Sequence, residues 1–332
     1  MDWQATLPPA EFADKPIIES EEVERCPVCD GSRFHQHAVG FDYESLTCRN
    51  PWRFVRCEKC AHVWLNPRPT VANLSIIYPP TYYSYNYTQQ VNAIARIGKQ
   101  WLDSGKMKSI VKRLDRAPRS YLDIGCGDGR FLRTMEKRGI PRDRLYGLEL
   151  DERVVGSLVA EGYQAYNRRV EDCTEISPGS IDLATMFHVI EHVADPASVV
   201  RKIREWLPVG GVLAAETPNV DSLDARKFSE RFWGGYHIPR HWNLFSPPTL
   251  KKLFEDNGFD VIATSFQTGH SFWMYSYQHS LNFGKRPNKR LARFFNPLKS
   301  LAFLMAFTAF DKLRAAMGAR TSAMLMLARR RD

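Results

Sequence analysis

YLDIGCGDGR, residues 121–130, runs from a short apolar strand pattern into a turn with glycines at 125, 127 and 129. RFLRTMEKRG follows with helical spacing and closes on Gly139. A glycine loop between a strand and a helix lets backbone approach a ligand closely. Outward from it, strand and helix patterns alternate. RLYGLELD, SIDLATMFH, VLAAET, FDVIATSF and TSAMLMLARR read as strands. ERVVGSLVAEG, PASVVRKIREWLPVGG and SPPTLKKLFEDNGF read as helices, the last two with a polar cap and proline at the start and glycine at the end. The alternation predicts an α/β fold, a Rossmann-like doubly wound sheet, with ligands bound beyond the carboxyl ends of its strands.

The charges of the loop select the ligand. A dinucleotide fingerprint needs a third glycine where this chain has Arg130. Asp123 and Asp128 would repel a pyrophosphate and suit a cation instead. S-adenosylmethionine carries an ammonium and a sulfonium and no phosphate. Glu149 ends the second strand, where an acid can hold both ribose hydroxyls.

On these motifs residues 119–267 resemble the class I S-adenosylmethionine-dependent methyltransferases. The resemblance implies a seven-stranded sheet with an antiparallel last strand. It implies that Asp123, Gly125 and Gly127 line the methionine end and that Glu149 binds the ribose. Glu171 and Asp172 would lie near the adenine, and Phe187 and His188 would flank the cofactor.

Five of the seven cysteines lie between Cys26 and Cys60. Cys26 with Cys29, and Cys57 with Cys60, form two C-x2-C knuckles, the spacing of a zinc site. Four thiolates leave no open position, so the site is expected to be structural. The knuckles, the stretch YPPTYYSY and the glycine loop together resemble the layout of bacterial sugar C-methyltransferases with an N-terminal zinc knuckle. In those relatives the tyrosine-rich stretch closes over the cofactor, which makes Tyr82 and Tyr83 candidate cofactor contacts.

Two segments carry candidate chemistry. HVIEHV places His188, Glu191 and His192 at i, i+3, i+4 spacing, one face of a helix. ERFWGGYHIPRHWNLFSPPTL, residues 230–250, combines imidazoles, an arginine and aromatic rings. The sugar C-methyltransferases have a comparable H-x-x-x-[FL]-S segment, which His241 matches, while Arg240 stands where they carry Glu. His241 is therefore the candidate general base and Arg240 a candidate anion clamp, with His237 and Tyr236 in support.

The 332 residues, 44% hydrophobic and 25% charged, exclude a disordered chain, a collagen and a small disulfide scaffold. No apolar run is long enough to span a bilayer. The N-terminal MDWQATLPPAEFADKP lacks the apolar core of a secretory signal, so a cytoplasmic location is the expectation. The net charge of +9 belongs to the tail: Lys285–Asp332 hold twelve Lys/Arg against two Asp, and the rest sums to −1. That argues against a nucleic-acid-binding surface. The segment 271–318 joins aromatic residues, the near-apolar run Leu301–Phe310 and basic flanks. Three readings stand for it: packing on the sheet, dimerisation, or peripheral contact through 285–332 with an anionic membrane at its inner face.

The expected organisation is a zinc-knuckle domain (1–70), a Tyr-rich and helical lid or linker (71–117), and a methyltransferase domain (118–332) carrying the amphipathic insert 271–318. The expected function is S-adenosylmethionine-dependent methyl transfer to a sugar or glycan, nucleotide- or lipid-linked, as in polysaccharide biosynthesis. The alternatives are O-methylation of a quinone or small aromatic, and a non-catalytic cofactor-binding adaptor with a zinc interaction module.

Overall fold

The computed structural model describes residues 8–79 and 93–332. In chain order its strands are β1 (Ser20–Glu21), β2 (Phe34–Gly40), β3 (Trp52–Cys57), β4 (Val63–Leu65), β5 (Arg68–Pro69), β6 (Tyr121–Ile124), β7 (Leu145–Leu148), β8 (Gln164–Tyr166), β9 (Leu183–Phe187), β10 (Val212–Pro218), β11 (Asn243–Leu244), β12 (Phe259–Gln267) and β13 (Ala323–Arg330). Its helices are α1 (Leu74–Ile77), α2 (Ala93–Val111), α3 (Arg130–Glu136), α4 (Glu152–Ala160), α5 (Pro196–Trp206), α6 (Leu223–Lys227), α7 (Pro247–Asp256), α8 (His270–Phe283), α9 (Lys289–Ala292) and α10 (Leu301–Ala316). None is long and apolar enough to cross a membrane.

The chain divides into two compact units, and neither is continuous in sequence. One gathers 92–217, 250–265 and 325–332; the other gathers 1–91, 218–249 and 266–324. The insert and the His-rich segment thus join the N-terminal region, which cuts across the three-segment organisation expected from the sequence. The physical reason lies in strand pairing. β11 pairs antiparallel with β4, Asn243 opposite Trp64, and completes the four-stranded sheet β11-β4-β3-β2.

The first unit is built on the seven-stranded sheet β12-β13-β10-β9-β6-β7-β8. β6 pairs parallel with β7 on one side and with β9 on the other, so the strand order reverses at β6. That reversal opens a crevice at the carboxyl ends of β6 and β9. β13 runs against β10: Arg330 exchanges backbone bonds with Gly210 and Gly211, just before β10 begins. The core packs Tyr121, Leu132, Leu145, Leu158, Leu183 and Leu325 with Met107 and Ile110 of α2. Asp151 and Asp195 cap α4 and α5 through bonds to the backbone N–H of Arg153 and Ser198.

In the second unit α8 packs on α10. The Trp273 and Phe307 rings stack with centroids 5.8 Å apart. Asp311, fully buried, accepts from the Gly269 amide at 2.9 Å and the Trp273 indole at 3.2 Å, and pairs with Arg314 at 3.3 Å. With the Ser322 hydroxyl donating at 3.3 Å as a fourth partner, this buried carboxylate fixes the register of the two helices, since breaking it would strand a charge.

Candidate active site

The glycine loop leaves β6 at the crevice. Gly125, Gly127 and Gly129 all have positive φ, at 70°, 49° and 77°. A Cβ at Gly125 would lie 2.6 Å from Val189 Cγ2, and one at Gly129 would lie 2.4 Å from Leu158 Cδ2. At Gly127 it would meet nothing within 4 Å. The outer glycines are therefore needed for packing, and the middle one faces open space beside the loop. Gly127→Ala should cost about 1–2 kcal/mol, the left-handed penalty, yet abolish ligand binding by filling that space. Gly129→Ala should destabilise more by overpacking Leu158. Thermal unfolding beside calorimetric titration separates the two effects.

Asp123, at the end of β6, is 2% exposed. Its Oδ1 accepts from Thr185 at 2.9 Å, and Thr185 is in turn bonded to the Tyr121 hydroxyl. Its Oδ2 is buried with no hydrogen-bond partner among the described residues. Burial pushes the carboxyl up to about 7. Glu149, at the end of β7, is half-buried and accepts from the Gly127 amide at 2.9 Å and the Leu150 amide at 2.7 Å. An orphaned carboxylate oxygen and a second acid beside an open glycine loop fit a cation with ribose hydroxyls, and so fit S-adenosylmethionine.

Beyond β9 the chain does not continue as a helix. His188 takes φ 56°, and only residues 190–192 form a short 3-10 turn. The expectation of one helical face for His188, Glu191 and His192 is thus corrected: the left-handed residue breaks the helix before it starts. His188 Nδ1 lies 3.1 Å from Glu191 Oε1, and Nε2 lies 3.4 Å from Glu216 Oε1. Burial opposes a charge on the imidazole, but Glu191 and Glu216 outweigh it and raise its pKa to about 9. Glu216 also pairs with Lys106 of α2. Burial would raise the Glu216 carboxyl; Lys106 and His188 hold it well below the usual carboxylate range. The Lys106 ammonium sits 4.8 Å from the ring centroid of Phe187, which itself packs edge-on against Phe131. Two acids and two cations thus brace the floor of the crevice.

Glu171 and Asp172 lie in a turn after β8, the first half-buried and the second exposed. Tyr82 and Tyr83 lie outside the described residues.

In the other unit the cysteine knuckles are two copies of one turn. The Asp30 amide donates to the Cys26 carbonyl and the Ala61 amide to the Cys57 carbonyl; the Cys26 amide donates to Gly31 and the Cys57 amide to His62. Asp30 and Ala61 both have positive φ, 58° and 63°. All four thiols are free. Cys26 and Cys60 sulfurs are 3.6 Å apart, Cys29 and Cys57 sulfurs 3.5 Å, and all four lie within 4.8 Å of one another. Zn–S bonds of about 2.3 Å in a tetrahedron give edges of about 3.8 Å, so the set fits a zinc ion.

The His-rich segment gives mixed results. Arg240 is fully buried, and its guanidinium is committed to both Asp42 oxygens at 3.0 Å, to the Ile77 carbonyl at 2.8 Å and to the Ile238 carbonyl at 3.0 Å. It is a structural pair with a carboxylate held below its ordinary pKa, and the anion-clamp expectation is corrected. Burial would raise that carboxyl; the Arg240 charge overcomes it. Tyr236 is also structural: its hydroxyl donates to the Ser229 carbonyl and its ring stacks on Phe54 at 4.9 Å. Burial pushes the phenol well above its usual range, so it is no ready base.

His237 and His241 remain. His237 Nδ1 pairs with Glu44, both side chains less than a tenth exposed. His241 Nδ1 lies 2.8 Å from the Gly235 carbonyl. A carbonyl only accepts, so the proton is on Nδ1 and Nε2 is the basic nitrogen of the neutral ring. The two imidazoles meet edge to face with centroids 4.9 Å apart. Glu44 was missed in the sequence because nothing in FDYESLT marks it; its partner is 193 positions away. Lys106 and Glu216 were missed for the same reason.

A family profile described as "Methyltransferase domain" matches residues 100–264. The ubiquinone biosynthesis O-methyltransferase of Neisseria meningitidis serogroup C is 27% identical over 218 residues, which is 56% of this chain and 88% of that protein. The enzyme of the same name from Pseudomonas aeruginosa is 32% identical over 118 residues, 33% of this chain and 49% of that protein. A solved SAM-dependent methyltransferase from Archaeoglobus fulgidus overlays 70% of this chain and 94% of its own with a TM-score of 0.45 and 17% identity. The reversed strand order at β6, its glycine loop and acids, and the profile spanning them agree: residues 100–264 form a class I S-adenosylmethionine-dependent methyltransferase domain, and the chain is a methyltransferase.

Proposed function

We propose that the enzyme methylates a hydroxyl of a sugar or glycan, nucleotide- or lipid-linked, with His241 as general base. The observation that carries the reading is the imidazole pair backed by Glu44. S-adenosylmethionine, when bound, supplies an electrophilic methyl on a sulfonium and leaves as S-adenosylhomocysteine. Asp123 holds its ammonium, Gly125 and Gly127 pass close to its methionine end, and Glu149 takes the ribose. Glu171 and Asp172 serve the adenine, with Phe187 and His188 flanking. On the acceptor side, His241 Nε2 takes the hydroxyl proton as the oxygen bonds to the methyl carbon and the C–S bond breaks. The Gly235 carbonyl, which accepts from Nδ1–H, steadies the imidazolium that forms, and the Glu44–His237 pair packs against the ring and holds it in place. An alcohol is a far weaker acid than a phenol, so it gains more from an oriented base. Because Arg240 is committed to Asp42, a phosphate of the acceptor must be held by other groups.

His241→Ala should lower turnover about 10²–10⁴-fold and leave cofactor affinity intact, read as S-adenosylhomocysteine release across nucleotide sugars and lipid-linked sugars. Glu44→Gln should lower it about tenfold. Loss of cofactor affinity in His241→Ala would make it a cofactor residue and overturn the assignment. A second reading, O-methylation of a quinone-type phenol, is favoured by the names of the curated relatives. Turnover of catechols but not of sugars would select it. We also infer that Cys26, Cys29, Cys57 and Cys60 hold a structural zinc.

A further inference from the structure

The insert carries a feature that methyl transfer does not use. α10 has one face on α8, and its other face is apolar and exposed. Phe303, Met305, Phe310 and Leu313 are 37%, 59%, 42% and 61% exposed, with Ala302, Ala306 and Ala309 among them. Eight of the sixteen exposed large hydrophobic side chains among the described residues fall within 291–317. A helix face of this kind on a folded unit marks an interaction surface.

Just before α10 in the chain, α8, α9 and the following turn line an open cavity of about 380 Å³. Its wall carries the carboxamides of Gln278, Asn282 and Asn296, all half-buried, and its rim carries Lys289, Arg293 and Lys299, all exposed. Lys289 bonds Glu11 at 2.8 Å, and Asn296 Oδ1 accepts from the Leu298 amide at 2.9 Å. Arg293 and Lys299, with Lys285, Arg286 and Arg290 nearby in the chain, make no ion pair among the described residues. Residues 285–320 contain nine Lys/Arg and one acid, the buried Asp311. Amide donors below a ring of cations form a site for a phosphate oxyanion. Leu291, Phe294 and Leu298 lie in the same stretch as that rim and are exposed.

We propose that residues 285–317 are a peripheral docking surface for an anionic lipid membrane, with the cavity taking a phosphodiester headgroup and the apolar face of α10 entering the acyl boundary. Charge complementarity selects this occupant. A free soluble anion would have no use for the exposed apolar side chains of the same segment, and a purely apolar partner would leave the cations desolvated and unpaired. Shallow apolar insertion combined with basic residues at the headgroups is how amphipathic helices hold to anionic bilayers.

The test is flotation of the full-length protein with vesicles of phosphatidylcholine alone or of phosphatidylcholine and phosphatidylglycerol in equal parts, at low salt. The expected result is at least about tenfold more protein on the anionic vesicles, reversed by salt. Arg293→Glu with Lys299→Glu should reduce binding to the neutral-vesicle level, and Met305→Glu with Leu313→Glu should do the same while circular dichroism is unchanged. No preference for anionic vesicles, or parental binding by the charge variant, would overturn the proposal. So would saturation of the cavity by inorganic phosphate with vesicle binding abolished, which would assign it to a soluble phosphate. Dimerisation lost in Met305→Glu with Leu313→Glu, without any vesicle binding by the parent, would assign the face to a second copy. No arm reads methyl transfer, so failure here leaves the acceptor assignment standing.

Discussion

Asp123→Asn is expected to weaken S-adenosylmethionine binding by about tenfold to 150-fold, the worth of one hydrogen-bonded charge pair at about 1.5–3 kcal/mol. Asp123 Oδ2 is buried without a hydrogen-bond partner among the described residues, and Thr185 satisfies only Oδ1. An ammonium is the group that oxygen lacks. The pH dependence gives an independent signature. Burial lifts the carboxyl to about 7 in the ligand-free protein, so below that pH a proton must leave before the cation can bind. Affinity should therefore fall by up to about tenfold per pH unit below about 7, and the Asn variant should show no such slope.

Stability should move the other way. The folded pKa of Asp123 is raised above its unfolded value of about 3.9, so the folded state binds the extra proton. That contribution is fully present at low pH and is lost as pH rises through about 7. Ligand-free Asp123→Asn should thus be as stable as the parent or more stable above that pH. Lost affinity with retained or gained stability is what a ligand-directed carboxylate predicts. Calorimetric titration and thermal unfolding across pH check both; unchanged affinity would remove Asp123 from the cofactor site.

Cys57→Ser is expected to lose zinc and the folded N-terminal region together. Structural zinc contributes about 10–16 kcal/mol in small thiolate sites, comparable to or larger than the whole net stability of a domain, about 5–15 kcal/mol. The two knuckles hold only short strands: β3 has six residues and β4 three, and Cys57 is itself the last residue of β3. Losing the ion would release β3, and with it the pairing that holds β2 and β4. Metal analysis and unfolding monitored by circular dichroism read the outcome. A strong chelator should reproduce it in the parent protein, and Cys57→His, which restores a ligand, should partly rescue it. Full stability without metal would refute the assignment.

The glycine loop was legible in the sequence because its information is local. Strand, turn and helix are consecutive, three glycines must take positive φ, and Asp123 and Glu149 end adjacent strands. The C-x2-C knuckles were legible for the same reason: chelation needs two thiolates on one tight turn, and that spacing is visible directly. HVIEHV was misread because helical spacing does not reveal that His188 is left-handed, a conformation set by its backbone bond to the Glu216 carbonyl and its two acidic partners.

What the sequence by itself determined is the α/β alternation, the glycine loop between strand and helix, and the pairing of the cysteines into two C-x2-C turns, all of which depend on residues near one another in the chain. Only the tertiary structure decided the roles in the His-rich segment. Asp42, 198 positions from Arg240, claims its guanidinium, and Glu44 claims His237. Tertiary structure also decided that β11 completes the N-terminal sheet and that one face of α10 stays bare. Each of these depends on which distant group comes within a few ångströms, and a buried charge accepts whichever partner the fold brings to it.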